Sequence, residues 1–261
     1  MVHAVPDILA RIVDQKRAEL ARSLPRRAEL ERRADQRSGH RDFRAALTAR
    51  QPAIIGEIKK ASPSQGALAA DFDPASIARA YSSGGAAALS VLTDREFFHS
   101  SLQDLETARA AVSLPVLRKD FTVDEFHVVE AAARGADAIL LIAALLPEAE
   151  LRRFRGLAAR YRMAALVEVH DASELDAALA SGADIIGVNN RNLHTFDVTL
   201  ETSLRLAEKI PSAVVKVSES GIHSRSAVER LQQAGFQAFL VGEHLMKSAD
   251  PAAALRDLQS C

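Results

Sequence analysis

The stretch IIGEIKKASPSQG, residues 54 to 66, decides how the rest of the chain is read. It opens as a short apolar run, the pattern of a strand buried on both faces. Glu57 and Lys59 flank Ile58, so an acid and a cation share one side of that strand. Pro63 lacks a backbone donor and ends the ladder, and Gly66 supplies loop freedom. A charged pair at the carboxyl end of an apolar strand is costly unless something polar binds there. Two charges alone read equally well as a structural ion pair. The balance moves because later strands end in the same way.

The chain has 261 residues, 48% of them hydrophobic, enough to bury the core of one large α/β barrel or of two modest domains. Its 33 basic and 34 acidic residues leave a net charge of -1, which offers no electrostatic draw to nucleic acid or to a membrane surface. The single cysteine, Cys261, excludes an internal disulfide and fits a reducing compartment. No secretory pattern opens the chain, and no apolar run approaches the roughly 20 residues of a bilayer span. The expectation is a soluble, cytoplasmic protein with neither a nucleic-acid nor a membrane partner.

Upstream of the quoted stretch, residues 6 to 20 carry Ile8, Leu9, Ile12 and Val13 on one face of an amphipathic helix. Residues 22–37 are rich in arginine but interleaved with Glu29, Glu31 and Asp35, the pattern of a solvated helical face. A short helix over 43–50 leads into the first strand. Downstream the chain is regular, with strands over 87–92, 115–119, 137–142, 164–169, 184–188, 213–218 and 237–241, each followed by a helical stretch. Gly135-Ala136-Asp137 and Gly182-Ala183-Asp184 mark helix-to-strand turns on the opposite rim. Strict alternation implies parallel strands with right-handed crossovers. Eight units in about 210 residues match a closed (β/α)8 TIM barrel. The expectation is one α/β barrel domain over 1–261, of which about 1–50 is an N-terminal helical extension. The alternative, a doubly wound open sheet, would show a Gly-rich nucleotide turn after its first strand, and the sequence has none.

Barrels of this type build their sites at the carboxyl ends of the strands. Those ends carry Glu57 and Lys59, then Lys119-Asp120-Phe121, Glu168, Asn189-Asn190-Arg191, Ser218-Glu219-Ser220-Gly221 and Gly242-Glu243. The fourth strand ends apolar at Leu140 to Ile142, a flat wall for a ring, and Phe98 and Phe121 extend that slot. The pairs Ser220-Gly221 and Gly242-Glu243 open helices after the last two strands, where backbone N–H groups make a phosphate site. A lysine crowded by another cation and partly desolvated gives up its proton more readily, and a glutamate across the mouth completes an acid/base pair. The combination suits proton transfers on a sugar-phosphate carbonyl compound bearing an aromatic group. The eight histidines form no i, i+4 pair, which speaks against a metal, and His170 and His194 read as supporting or surface residues.

The segments EIKKASPSQG (57 to 66), PVLRKDF (115 to 121), ALVEVH (165 to 170), GVNNRNLHTF (187 to 196), VSESGIHSR (217 to 225) and LVGEHLM (240 to 246) resemble indole-3-glycerol phosphate synthases of tryptophan biosynthesis. The N-terminal VPDILARIV resembles that family's extra helix, which lies over the barrel mouth. The likeness runs along essentially the whole chain and matches the single-function form. It implies ring closure of 1-(2-carboxyphenylamino)-1-deoxyribulose 5-phosphate with loss of carbon dioxide and water, and no cofactor. It implies Lys119 as general acid and Glu168 as its acid/base partner in the dehydration. Lys59, paired with Glu57, would hold the substrate carboxylate or assist proton transfer. Asn189 and Glu219 would orient hydroxyls, Arg191 would face the anthranilate carboxylate, and Ser62 would support the first loop. Phe98, Phe121 and Leu140 would line the ring pocket, with Ser220, Gly221, Gly242 and Glu243 taking the phosphate. One departure stands out: Ser100 occupies a position where the family usually has glycine, which restricts the backbone beside Phe98. Another sugar-phosphate isomerase of the same fold, or a phosphate-binding barrel without catalysis, is the competing reading.

Overall fold

Alternation along each strand decides what the barrel encloses. In the computed structural model, which describes residues 7–62, 66–67 and 71–260, the first strand β1 (Ala53–Ile58) is buried along its whole length. Ala53 and Ile55 point into the barrel, while Ile54 and Ile58 point out toward the helices. Seven further strands follow: β2 (Ala88–Leu92), β3 (Val116–Lys119), β4 (Ala138–Ile142), β5 (Ala164–Val169), β6 (Ile185–Asn189), β7 (Val215–Glu219) and β8 (Ala238–Val241). All eight pair in parallel in chain order, and β1 pairs with both β2 and β8, which closes the ring. A two-residue ladder, Ala61–Ser62 against Gly66–Ala67, stands outside the barrel on the loop after β1. The turn read at Pro63, together with the start of the first helix at Pro6 and the side chain of Ser62, lies outside the described residues.

Inward positions make a separate core of Ile55, Leu117, Leu140, Leu166, Ile185, Val217 and Leu240 with small alanines between them. Continuing inward by two residues from Ile55, Leu117, Leu166, Ile185 and Val217 reaches Glu57, Lys119, Glu168, Gly187 and Glu219. The same parity that fills the middle of the barrel with aliphatic groups thus delivers the polar set to its carboxyl rim. Outward positions pack under the helices α4 (Pro74–Ser83), α5 (Leu102–Ala111), α6 (Glu125–Ala133), α7 (Glu148–Arg160), α8 (Ala172–Ala180), α9 (Glu201–Ala207), α10 (Arg225–Gln233), α11 (Glu243–Met246) and α12 (Pro251–Gln259).

The N-terminal segment works at both ends of this barrel. It forms α1 (Asp7–Ser23), α2 (Arg27–Asp35) and α3 (Phe43–Thr48). Phe43 and Leu47 of α3 join the inner core and stop the lower end. Asp137, at one of the lower-rim turns, accepts hydrogen bonds from the backbone N–H groups of Arg41 and Val116 and from the guanidinium groups of Arg37 and Arg109. Arg37 is buried there, so the arginine-rich run is solvated only in part; its last member is a structural cation. At the upper end α1 crosses the mouth. Lys16 of α1 is buried between Asp94 at 2.7 Å and Asp120 at 2.9 Å. Asp120 also accepts from Arg118 at 3.0 Å and from Thr93 Oγ1, so one polar network ties α1 to the ends of β2 and β3.

Candidate active site

Beneath α1 lies a cavity of about 410 Å³ at the carboxyl ends of the strands. Fourteen of the fifteen residues picked from the sequence line it: Glu57, Lys59, Phe98, Lys119, Phe121, Leu140, Glu168, Asn189, Arg191, Glu219, Ser220, Gly221, Gly242 and Glu243. The fifteenth, Ser62, has only its backbone among the described residues.

The charged centre is a lysine among carboxylates. Lys119 Nζ lies 3.1 Å from Glu168 Oε2 and 3.8 Å from Glu219 Oε2. Burial pulls the Lys119 ammonium toward losing its proton, but the charges of Glu168, Glu219 and Glu57 outweigh burial and hold the proton more tightly than in water. The expectation of a lysine crowded by a second cation is therefore corrected: Lys59 pairs with Glu57 at 2.8 Å, and the neighbours that set the Lys119 proton are acids. Glu168 is pushed up by burial but brought well below the usual carboxylate range by Lys119 and His170. Glu219 moves the opposite way, raised by burial and by the charge of the Glu168 carboxylate that it touches. Two carboxyl groups in one site thus have proton affinities driven apart, an environment that suits acid/base chemistry.

Two glycines make room for these acids: Gly187, which sequence reading did not single out, and Gly242, which it picked only for the phosphate. A methyl group on Gly187 would run into Glu219 Oε1, and one on Gly242 into Glu57 Oε1. A strand glycine is the usual sign of a close approach, but the sequence does not say which group approaches.

Phe98, Phe121 and Leu140 come together on one side of the cavity. The Phe98 and Phe121 rings are tilted with centroids 6.2 Å apart, and Leu140 stands in the same wall. Ser100 does not strain this loop; the left-handed residue is His99, at φ 52, and Ser100 donates from its hydroxyl to the Phe98 carbonyl at 3.2 Å. At the other end, Ser220 and Gly221 take successive left-handed conformations, at φ 67 and 75, and curl their backbone around the cavity rim. Asn189 Oδ1 accepts from Ser220 Oγ at 2.9 Å and from the Arg191 backbone N–H at 3.0 Å, so it braces two loops at once. Arg191 also donates to the Phe196 carbonyl at 3.2 Å, which anchors the loop after β6. Asn190 turns away from the cavity and bonds Ser218, Ser203 and the Ser220 carbonyl.

Ile8, Leu9 and Ile12 of α1 form the roof, as the amphipathic pattern and the resemblance suggest. Leu193, Phe196 and Val198 add an apolar lip that sequence reading passed over, because a polar loop gave no periodicity to flag them. His194 is exposed on that loop, while His170 sits behind Glu168 with its Nε2 3.4 Å from Glu168 Oε1. Among the described residues no group of three or more His, Cys, Asp and Glu side chains is placed to hold a metal ion, and no helix is long and apolar enough to cross a membrane.

A family model described as indole-3-glycerol phosphate synthase matches residues 9–258. Among curated relatives, the indole-3-glycerol phosphate synthase of a Polaromonas species is 49% identical over 258 residues, covering 97% of this chain and 98% of its own. Those of Albidiferax ferrireducens and Koribacter versatilis are each 50% identical, with 97% and 96% of this chain covered and 98% of each relative. Solved structures with the same fold include a thiamine phosphate pyrophosphorylase from Pyrococcus furiosus, at TM-score 0.61, 17% identity, and 79% of this chain and 93% of that one. An N-acetylmannosamine-6-phosphate 2-epimerase from Clostridium perfringens has a TM-score of 0.63 at 15% identity, over 80% of this chain and 93% of that one. At such identities the likeness concerns the barrel alone.

Proposed function

The chain belongs to the indole-3-glycerol phosphate synthase family, and from that premise we propose how its cavity performs the family's reaction. The enzyme is a carboxy-lyase of tryptophan biosynthesis. Its substrate, 1-(2-carboxyphenylamino)-1-deoxyribulose 5-phosphate, enters under α1 with its phosphate against Ser220-Gly221 and Gly242-Glu243. Its aromatic ring enters the slot of Phe98, Phe121 and Leu140, and its carboxylate turns toward Lys59 and Arg191. Asn189 and Glu219 orient the hydroxyls, and Glu57 keeps Lys59 in place. The single observation that carries this assignment is the Lys119–Glu168 pair, 3.1 Å apart inside a cavity with one apolar wall and one glycine-lined rim.

The ring carbon bearing the carboxylate attacks the ketone carbon, and Lys119 gives its proton to the ketone oxygen. Carbon dioxide then leaves and restores aromaticity. Water leaves next, with Glu168 serving the proton transfers of that dehydration, and the pyrrole ring is complete. Substrate itself prepares the acid. A ketone oxygen lodged between Lys119 and Glu168 separates the ammonium from its main carboxylate partner. Burial, the largest single influence on Lys119, then favours release of the proton. Fixed charges and a folded substrate supply the remainder of the rate, without a cofactor. The proposal places this chemistry in the cytoplasm, in one barrel domain over residues 1–261 that includes the helical extension.

Turnover of that substrate, followed as growth of indole fluorescence without added metal or nucleotide, tests the assignment. Lys119→Ala and Glu168→Gln are expected to abolish the signal while the proteins still fold. Persistent turnover in a folded Lys119→Ala protein would transfer the acid role elsewhere.

A further inference from the structure

His170 stands two residues beyond Glu168 and on the same side of the chain, just past the end of β5. Its Nδ1 lies 2.9 Å from Glu174 Oε2, an oxygen that also accepts the backbone N–H of His170 at 2.7 Å. Its Nε2 points at Glu168 Oε1, 3.4 Å away, and has no other partner among the described residues. Glu168 is therefore held at both oxygens, by Lys119 on one and by His170 on the other. Glu219 touches Glu168 but meets Lys119 only at 3.8 Å, and its Oε1 is buried without a hydrogen-bond donor.

Resting on the assignment of Glu168 as an acid/base group, we propose that His170 is a positioning residue. Its imidazolium, clamped by Glu174, decides which of the touching Glu168 and Glu219 carboxyls carries the negative charge. Two carboxylates in contact do not both ionise readily, so a neighbouring charge breaks the tie. The cation beside Glu168 keeps that group ionised and ready to accept a proton, and leaves the shared proton on Glu219. The environment keeps His170 charged. Burial opposes its proton, but the nearby Glu168 carboxylate and the bond to Glu174 raise its affinity to about 10.

Other charged and titratable groups surround it, with His194 and Asp197 also lining the groove onto which it opens. Lys119 and Glu219 act on it through Glu168; Asp171 is engaged in capping α8; Arg191 and Arg205 line the groove onto which His170 and Glu174 open. That groove adjoins the substrate cavity, with Asn189, Arg191 and Leu193 lining both, and His170 lines only the groove. Loss of His170 should therefore alter proton transfer and leave substrate binding alone.

The test is the pH dependence of kcat for the full chain carrying His170→Gln, His170→Lys or Glu174→Gln. In His170→Gln the acid limb of kcat moves to higher pH by about one unit or more, because Glu168 loses a cation, while KM stays at the parent value. His170→Lys restores a cation and returns the limb toward the parent position. Glu174→Gln keeps an acceptor for the His170 N–H but weakens the imidazolium, and moves the limb in the same direction as His170→Gln. A second readout needs no turnover: the His170 ring, followed by NMR, stays protonated past pH 8 and loses its proton at lower pH in Glu168→Gln. An unmoved acid limb in folded His170→Gln, or a His170 ring titrating near its ordinary value of about 6.5, overturns the proposal. Should His170→Gln fail to fold, the Glu174→Gln profile and the NMR titration decide it. Absence of turnover in the parent protein would overturn the assigned reaction instead, with the NMR titration still deciding the role of His170.

Discussion

Replacing Gly187 with alanine puts the proposed catalytic geometry under direct test. Gly187 lies in β6 facing the barrel interior, and the added methyl carbon would sit 3.2 Å from both Glu219 Cδ and Leu166 Cδ1, closer still to Glu219 Oε1. Carbon pairs are comfortable at about 3.5–4.0 Å, so the carboxyl has to retreat by about an ångström. Leu166 belongs to the tightly filled inner core and gives little. The end of the Glu219 side chain is the part that moves, and it moves away from Glu168 and Lys119. A misplacement of about 1 Å in a catalytic group costs about 100-fold, equal to about 2.7 kcal/mol of barrier. Folding is affected far less, since alanine at a strand position restricts the unfolded chain and offsets part of the local crowding. The assay pairs steady-state fluorescence turnover with urea unfolding. The expected outcome is a kcat about 100-fold down, with stability within about 1 kcal/mol of the parent. Gly156→Ala is the control: the position is exposed in α7 with open space around it, so turnover is unchanged and stability rises by about 0.5–1 kcal/mol. A Gly187→Ala protein working at the parent rate would refute the claim that Glu219 needs the room this glycine leaves.

Other outcomes follow from the same geometry. Gly242→Ala would bring a methyl carbon to 3.0 Å from Glu57 Cδ, displacing the partner of Lys59, and should lower kcat without unfolding the barrel; a normal kcat would remove Glu57 from the machinery. Lys16→Met leaves Asp94 and Asp120 buried without the α1 cation, at a cost of about 3–5 kcal/mol in urea unfolding. Because α1 carries Ile8, Leu9 and Ile12 over the cavity, KM should rise more than kcat falls, and unchanged stability would show that the carboxylates do not depend on α1. His127 is buried with its Nδ1 accepting the Val123 N–H, and burial, with the charge of Arg118, brings its proton affinity down to about 4. Between about pH 6.5 and 4 the unfolded chain takes up a proton that the folded one refuses, so stability falls with falling pH by an amount on the order of 3 kcal/mol. The slope should flatten in His127→Asn, measured as the urea midpoint against pH.

Much of this was legible from residue order alone. The alternation of eight short apolar strands with helices dictated the barrel, because parallel neighbours need a crossover between them. Inward parity then placed Glu57, Lys119, Glu168 and Glu219 on one rim, since the strand repeat is two wherever the strand is buried. The amphipathic face of α1 was readable as Ile8, Leu9 and Ile12, the residues that roof the cavity. Lys16 was not, although it continues the Ile8–Ile12 face, because a lysine reads as solvated until its partners are known.

What the tertiary structure alone decided was who stands beside whom. Lys119 and Glu168 are 49 positions apart in sequence, and they meet because β3 and β5 both tilt their ends into one mouth. The sign of the Lys119 perturbation therefore depended on neighbours from other strands, and three acids around it reversed what local reading suggested. The same holds for Gly187 and Glu219, for His170 behind Glu168, and for Lys16 between Asp94 and Asp120. Periodicity is a property of consecutive residues bonded to one backbone, so sequence carries it. Electrostatic energy depends on distance through space and on exclusion of water, and both come into being only when the barrel closes.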